Sequence, residues 1–273
     1  IYTQPAKKKS RGQKIKKSPV QIIAEKFNIR VRTPYDLNND KEYDFFLKLK
    51  PDLVVVVAYG KIIPDKFLKI PNLLFINLHA SLLPKWRGAA PVERSIMNLD
   101  NETGVTIMKI TSKLDEGPYT KQVRVKIDKK TTSGELKEKL SKLGAKAIID
   151  TVNLISKGQV KFAEQDHSNS TYAKKIDKLE ARINWNDDAE NIIAKVNAFN
   201  PSPGAWFKYN KQRLKVLKAE EIKLNGTPGE VLDNKSFTTI SFSTSHSPIK
   251  SGKKLLFSSA ESPKNTFSSC FIL

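Results

Sequence analysis

Apolar positions along this chain change period several times, and each change marks an element. Ile1-Tyr2-Thr3 reads as the tail of a strand entering a loop from Gln4 to Lys17. Val20, Ile23 and Phe27 then recur at helical spacing behind Ser18, a capping hydroxyl, and Pro19, which suits a first helical turn. The period gives way to Leu53-Val54-Val55-Val56-Val57, a continuous run that predicts a strand buried on both faces of a parallel sheet. Leu73 to Leu78 and Val105 to Ile110 predict further strands of this kind, whereas Gln122 to Ile127 alternates polar and apolar residues like an edge strand. Thr132 and Glu135 match a capping box for a long helix carrying Leu136, Leu140, Leu143, Ala147, Ile148, Val152 and Ile155, ended by Lys157-Gly158. Helix alternating with buried strand predicts an α/β fold, a doubly wound and mostly parallel sheet.

Residues 159–177 show no convincing period and read as a linker between a first domain, 1–158, and a second, 178–273. In the second unit Ala189, Ile192, Ile193 and Val196 share a helical face, and strands follow at Trp206 to Tyr209 and Arg213 to Leu217. A small β-barrel is the expected architecture. Trp206 and Phe207 are expected to pack in its core rather than stack on bases. Residues 234–273 are atypical, with eleven serines among forty residues.

Composition sharpens the functional choice. The chain has 273 residues, 39% of them hydrophobic, with a formal net charge of +20 and a pI near 9.8. Part of that excess reflects a general richness in lysine, but it also favours a polyanionic partner. Lys7, Lys8, Lys9, Arg11, Lys14, Lys16 and Lys17 crowd one short loop without an acid among them. Such a loop repels itself unless something anionic visits it. Cys270, as the single cysteine, excludes an intramolecular disulfide, and His79, His167 and His246 lie too far apart for metal-ligand spacing. The longest apolar run, Leu53 to Ala58, is too short to span a bilayer, and the polar, basic first stretch is unlike a secretory signal.

The chemistry concentrates in Phe75-Ile76-Asn77-Leu78-His79, followed by Ser81-Leu82-Leu83-Pro84 and Arg87-Gly88. A strand alternates its side chains, so Asn77 and His79 project from one face. Asn offers a neutral donor for a developing oxyanion, and His titrates near neutrality. Asp115, in the turn-forming Leu114-Asp115-Glu116-Gly117-Pro118, is the candidate carboxylate. Val56, Val57, Ala58 and Tyr59 end a strand at Gly60, the usual place for one wall of a ligand slot.

Four ordered segments carry a family resemblance. They are Thr3-Gln4-Pro5 with Arg11-Gly12 and Ser18-Pro19; the Asn77-x-His79 segment with Ser81 to Pro84 and Arg87-Gly88; Thr171-Tyr172-Ala173 with Glu180 to Trp185; and Phe199-Asn200-Pro201-Ser202-Pro203-Gly204-Ala205-Trp206-Phe207. From residue 1 to about 233 the chain resembles the folate-dependent formyltransferases, in particular those acting on methionyl-tRNA. The resemblance implies 10-formyltetrahydrofolate as formyl donor, the amine of methionine on initiator tRNA as acceptor, and no metal. It implies Asn77 and a protonated His79 as oxyanion donors, with Asp115 favouring the imidazolium and relaying protons. Ser81, Leu82, Leu83 and Pro84, with Tyr59, would lie against the folate. Arg11, with Lys7, Lys8, Lys9 and Lys14, would contact the tRNA acceptor stem. An OB-like C-terminal domain, a monomer, and a bacterial cytoplasm or organellar matrix complete what it implies. Relatives acting on a nucleotide-linked amino sugar, or a non-catalytic RNA-binding remnant, are the alternatives. The family opens with a strand, a glycine-containing loop and a helix that precede the Ile1 position, so a sheet with an unpaired interior neighbour is expected.

Overall fold

The basic loop folds back on itself as a ribbon, in a computed structural model that describes residues 1–9, 14–223, 227, 230–233, 238–241 and 253–257. β1 (Lys7–Lys9) pairs antiparallel with β2 (Lys14–Lys16), placing Lys7 opposite Lys16, Lys8 opposite Ile15 and Lys9 opposite Lys14. α1 (Pro19–Lys26) starts as the sequence predicts, with the Ser18 hydroxyl accepting from the Gln21 amide at 3.0 Å. Its predicted apolar face is not the face that packs. Ala24 is buried, while Ile23 and Phe27 are 55% and 67% exposed, because no described element covers their side. α2 (Asp40–Lys48) inserts Phe46 among Leu37, Phe67 and Phe75, with Phe46 and Phe67 ring centroids 5.0 Å apart edge to face.

The central sheet is mixed, which corrects the mostly parallel expectation. β3 (Leu53–Val57), α3 (Asp65–Leu68) and β4 (Leu74–His79) form one parallel crossover. β5 (Arg87–Gly88) and α4 (Pro91–Met97) then lead to β6 (Glu102–Lys109) and β7 (Tyr119–Lys126). The order is β3-β4-β6-β7, and both later pairings are antiparallel. β6 misled the sequence reading because it is buried on both faces without being parallel. Val105 and Ile107 lie beneath the long helix that follows β7, and the Ser81–Pro84 loop covers Thr106 on the opposite face. Two-sided burial yields a continuous apolar run whatever the strand direction. β3 departs the other way: Val55 is 41% exposed, so this strand is only half-buried.

α5 (Ser133–Ser156) has the predicted capping box between Thr132 and Glu135, and Gly158 closes it at φ +65°. It lies close on the sheet because Gly144 has no side chain; a Cβ there would meet Leu78 at 2.7 Å. After β8 (Tyr172–Ala173), α6 (Ala189–Phe199) buries Ile192, Val196 and Phe199 against Val92, Ile96, Leu136 and Leu140 of the first unit. One apolar cluster therefore binds the two halves together. β9 (Ala205–Tyr209) and β10 (Gln212–Val216) form a hairpin, with Trp206 buried as predicted. β11 (Ala219–Lys223), β12 (Val231–Asp233), β13 (Thr238–Ser241) and β14 (Lys253–Phe257) make a separate antiparallel sheet ordered β11-β14-β13-β12. Among the described residues these strands form no closed barrel. Short-range alternation specifies hairpins, whereas closure needs consistent register and stagger around the ring.

Arg94 on α4 stitches the halves electrostatically: its guanidinium donates to both oxygens of Glu180, at 2.7 and 3.1 Å, and to the Lys174 carbonyl. The Arg94 hydrogen bonds hold the Glu180 carboxyl below its usual range against the opposing effect of burial. A depressed carboxylate contributes stability above its unfolded pKa and loses it as pH falls through the folded value. Glu180→Gln is therefore expected to lower Tm by roughly 2–4 °C near pH 7, for a loss on the order of 1 kcal/mol. The difference from wild type should shrink steadily in melts taken below about pH 4.3, where the unfolded carboxyl is already protonated.

Candidate active site

Asn77 and His79 share one face at the carboxyl end of β4, between β3 and β6. His79 is buried; its Nε2 lies 2.8 Å from the Trp86 carbonyl oxygen, and its Nδ1 lies 3.6 Å from Asp115 Oδ2. Both ring nitrogens thus face oxygen atoms. Asn77 is half-buried, and its amide makes no hydrogen bond with a described residue. The structure brings together all three residues that the sequence singled out for carbonyl chemistry.

Asp115 sits in a tight turn at φ +52°, and its Oδ2 accepts from the Gly88 amide at 2.8 Å. Gly88 is itself at φ +110°, and a Cβ would meet the Ala173 carbonyl at 2.9 Å. Only glycine allows the chain so close to β8, with which β5 pairs in parallel. Gly117 closes the turn against Lys109, where a Cβ would lie 2.1 Å from the carbonyl oxygen. Beneath the turn lies Gln165, which the sequence reading missed. Its Nε2 donates to the carbonyls of Asp115 and Gly117 at 2.9 and 2.7 Å, and its Oε1 accepts from Arg87 at 2.8 and 3.1 Å. No periodicity signals a single buried amide in irregular chain, so nothing in the pattern pointed to it.

The Ser81–Pro84 loop is fixed from below. Thr106, fully buried on β6, donates to the Ser81 carbonyl at 2.7 Å and accepts from the Leu83 amide at 3.1 Å. Gln122 Nε2 donates to the Leu83 carbonyl at 2.7 Å, and the Ser81 hydroxyl donates to the Lys85 carbonyl at 2.6 Å. Ser81 and Leu83 are buried, leaving Leu82 and Pro84 half-exposed. Tyr59 packs on the aromatic cluster with Phe46 and Phe75, on the sheet face that Asn77 and His79 share by alternation. Burial raises the pKa of its hydroxyl, and Glu42 adds to the shift. Lys7, Lys8 and Lys14 are exposed on the β1–β2 ribbon, and Lys9 lies in β1; Arg11 lies outside the described residues. No described helix is long and apolar enough to cross a membrane.

Residues 1–152 match the formyl transferase family and residues 175–253 match the formyl transferase C-terminal domain, and the chain belongs to that family. It is 52% identical over 235 residues to the methionyl-tRNA formyltransferase of Pelagibacter ubique, covering 86% of this chain and 76% of that protein. With the methionyl-tRNA formyltransferase of Parvibaculum lavamentivorans it shares 42% over 237 residues, 85% of this chain and 76% of the other. Among solved structures it resembles WlaRD, a sugar 3N-formyl transferase determined with dTDP and 5-N-formyl-THF (TM-score 0.65, 21% identity, 88% of this chain and 81% of that one). It also resembles HypX from Aquifex aeolicus in complex with tetrahydrofolic acid (TM-score 0.63, 19% identity, 85% of this chain and 40% of that one). At these identities the two structures speak to the fold.

Thr106 gives a direct check on how the loop is held. Thr106→Val preserves shape but strands the buried Leu83 amide and Ser81 carbonyl, at a cost of about 1–3 kcal/mol. Chemical denaturation should show that loss as a lower midpoint with an unchanged slope.

Proposed function

We propose that this protein transfers the formyl group of 10-formyltetrahydrofolate to the amino group of methionine on initiator tRNA, supplying translation initiation. The observation that carries this reading is the trio itself: an Asn side-chain amide without a partner among the described residues, on the strand face of a His whose Nδ1 faces a carboxylate 3.6 Å away. The names of relatives at 42–52% identity point to the same acceptor. The half-exposed Leu82 and Pro84, on a loop anchored by Thr106 and Gln122, suit a flat heteroaromatic donor that needs apolar contact and backbone hydrogen-bonding groups.

The donor supplies an activated formyl carbon. The methionine amine attacks that carbon, forming a C–N bond as negative charge grows on the formyl oxygen. Asn77 and the His79 imidazolium donate to that oxygen, where preorganised donors are most effective. Asp115 stabilises the imidazolium and accepts the amine proton, passing it through water to the departing N10 nitrogen as the old C–N bond breaks. Formylated methionyl-tRNA and tetrahydrofolate leave. The β1–β2 ribbon supports the tRNA acceptor. Lys7 stands opposite Lys16, and Lys14 alternates onto that same face, so like charges adjoin across the ribbon and repel unless phosphates intervene. Arg11, which lies outside the described residues, is assigned to the acceptor stem by the family resemblance alone. This ribbon favours RNA over a nucleotide-linked amino sugar as acceptor. Residues 1–158 would form the catalytic domain, and 178–273 an OB-like unit that steadies the tRNA on a monomeric enzyme. A bacterial cytoplasm or an organellar matrix is its place of action.

Asn77→Ala is expected to raise the barrier by roughly 2.7–4 kcal/mol, a loss on the order of 10²–10³ in kcat. Asp115→Asn should be comparably severe, and the double variant less than additive. Near wild-type turnover by a folded Asn77→Ala protein would falsify the assignment. On the ribbon, replacing Lys7, Lys14 and Lys16 with glutamine should weaken tRNA binding and flatten its salt slope, because fewer counterions are released. Folate binding, measured by fluorescence quenching on the same variant, should stay unchanged; a parallel loss would place the ribbon at the folate site instead.

A further inference from the structure

We propose that Gln165 is a positioning residue for the formyl transfer, the strut that sets the turn carrying Asp115. The inference rests on the assignment of Asp115 given above. Gln165 is only 4% exposed, and its amide is used at both ends. Arg87 is 1% exposed and directs two guanidinium donors, Nε and Nη2, at Gln165 Oε1. The other end, Nε2, donates to the main-chain oxygens of Asp115 and Gly117 on either side of Glu116. An arginine can only donate and a carbonyl can only accept, so the orientation of this amide is dictated and cannot flip.

The mechanical consequence falls on Asp115. A non-glycine residue at φ +52° is held away from its preferred backbone conformation, and it persists only where the surroundings over-determine it. Gln165 grips the main chain at that point while the Gly88 amide grips the carboxylate at 2.8 Å. Both grips lead to the same dipeptide, since Arg87 holds Gln165 and Gly88 holds Asp115. The 3.6 Å approach of Asp115 to His79 Nδ1 is thereby fixed by two neighbouring residues through two independent routes. Loss of the strut would leave the carboxylate on one tether and let the turn relax toward commoner backbone angles.

Glutamate is the informative replacement. Gln165→Glu keeps the length and the Arg87 contact, but sets a carboxylate oxygen against two carbonyl oxygens. Gln165→Met keeps volume and removes every polar contact. Both should fold, with cooperative melts, and both should lose kcat by roughly 10- to 100-fold, the cost of misplacing a reacting group by about an ångström. KM for the folate donor should stay within about twofold, because the Ser81–Pro84 loop is anchored elsewhere, by Thr106 and Gln122. The acid limb of the kcat pH profile should move in both variants, since the Asp115–His79 couple sets it. A merely structural residue would change the melting temperature and leave that limb in place. Asp115→Asn is run in parallel. If Asp115→Asn is dead while folded Gln165→Glu and Gln165→Met turn over like wild type, the strut is wrong and the site reading stands. Active Asp115→Asn removes the site reading and the strut with it. Failure of both Gln165 variants to fold makes the residue a stability element and overturns the proposal.

Discussion

The two-residue parallel pairing of Arg87-Gly88 with Tyr172-Ala173 holds more of this molecule in place than its length suggests. It requires a glycine at φ +110°, where a Cβ would press on the Ala173 carbonyl, and it ties residues 171–173 to residues 87–89 through main-chain hydrogen bonds. From this crossing the Gly88 amide reaches Asp115, the Arg87 guanidinium reaches Gln165, and the Thr171 hydroxyl accepts from the Trp86 amide at 2.9 Å. A stretch with little regular structure thereby becomes part of the candidate site. Its ordering entropy is offset by buried, charge-assisted hydrogen bonds, which are about twice as strong as neutral ones.

What the amino-acid pattern revealed and what it hid follow from the range of the interactions involved. The capping box at Thr132, the Ser18 cap, the long α5 face and the Asn77/His79 spacing are local, and a local pattern determines each of them. The direction of β6 is not local: its apolar run records burial on both faces, while its antiparallel pairing with β4 is reached by the connection through β5 and α4. The barrel expectation met the same difficulty, since the β9–β10 hairpin and the four-stranded sheet are each locally specified while their closure is not. Gln165 lies at the far end of that scale. Its partners are forty-eight, fifty and seventy-eight residues away in sequence, and no window of pattern reaches them.

The position of the positive charge is as telling as its amount. Many lysines of this chain are spent on surface pairs such as Lys121 with Asp150 or Lys137 with Glu93, each exposed enough to contribute little. The ribbon differs. Lys8, Lys14 and Lys16 stand in short strands without an acidic neighbour along either strand, and Ile15 is exposed between the last two. A two-stranded ribbon is marginal by itself, and cross-strand repulsion makes it worse. Its geometry makes sense if binding supplies the missing stabilisation.

His79 links these threads through the residue that holds its other nitrogen. Trp86 adopts φ +61°, unusual for so bulky a side chain, and its indole donates to Asp100 at 2.6 Å. That tether aims the Trp86 carbonyl at His79 Nε2 while Asp115 waits at Nδ1. The 3.6 Å gap to Asp115 is longer than a hydrogen bond, which makes that contact a matter of charge rather than of a shared proton. Nε2 is thus already engaged by one backbone carbonyl, the partner that a formyl oxygen would displace under the proposed chemistry. Positive φ at Trp86 and at Asp115 accompanies this arrangement, and both residues reach the histidine from beside the same crossing of β5 and β8.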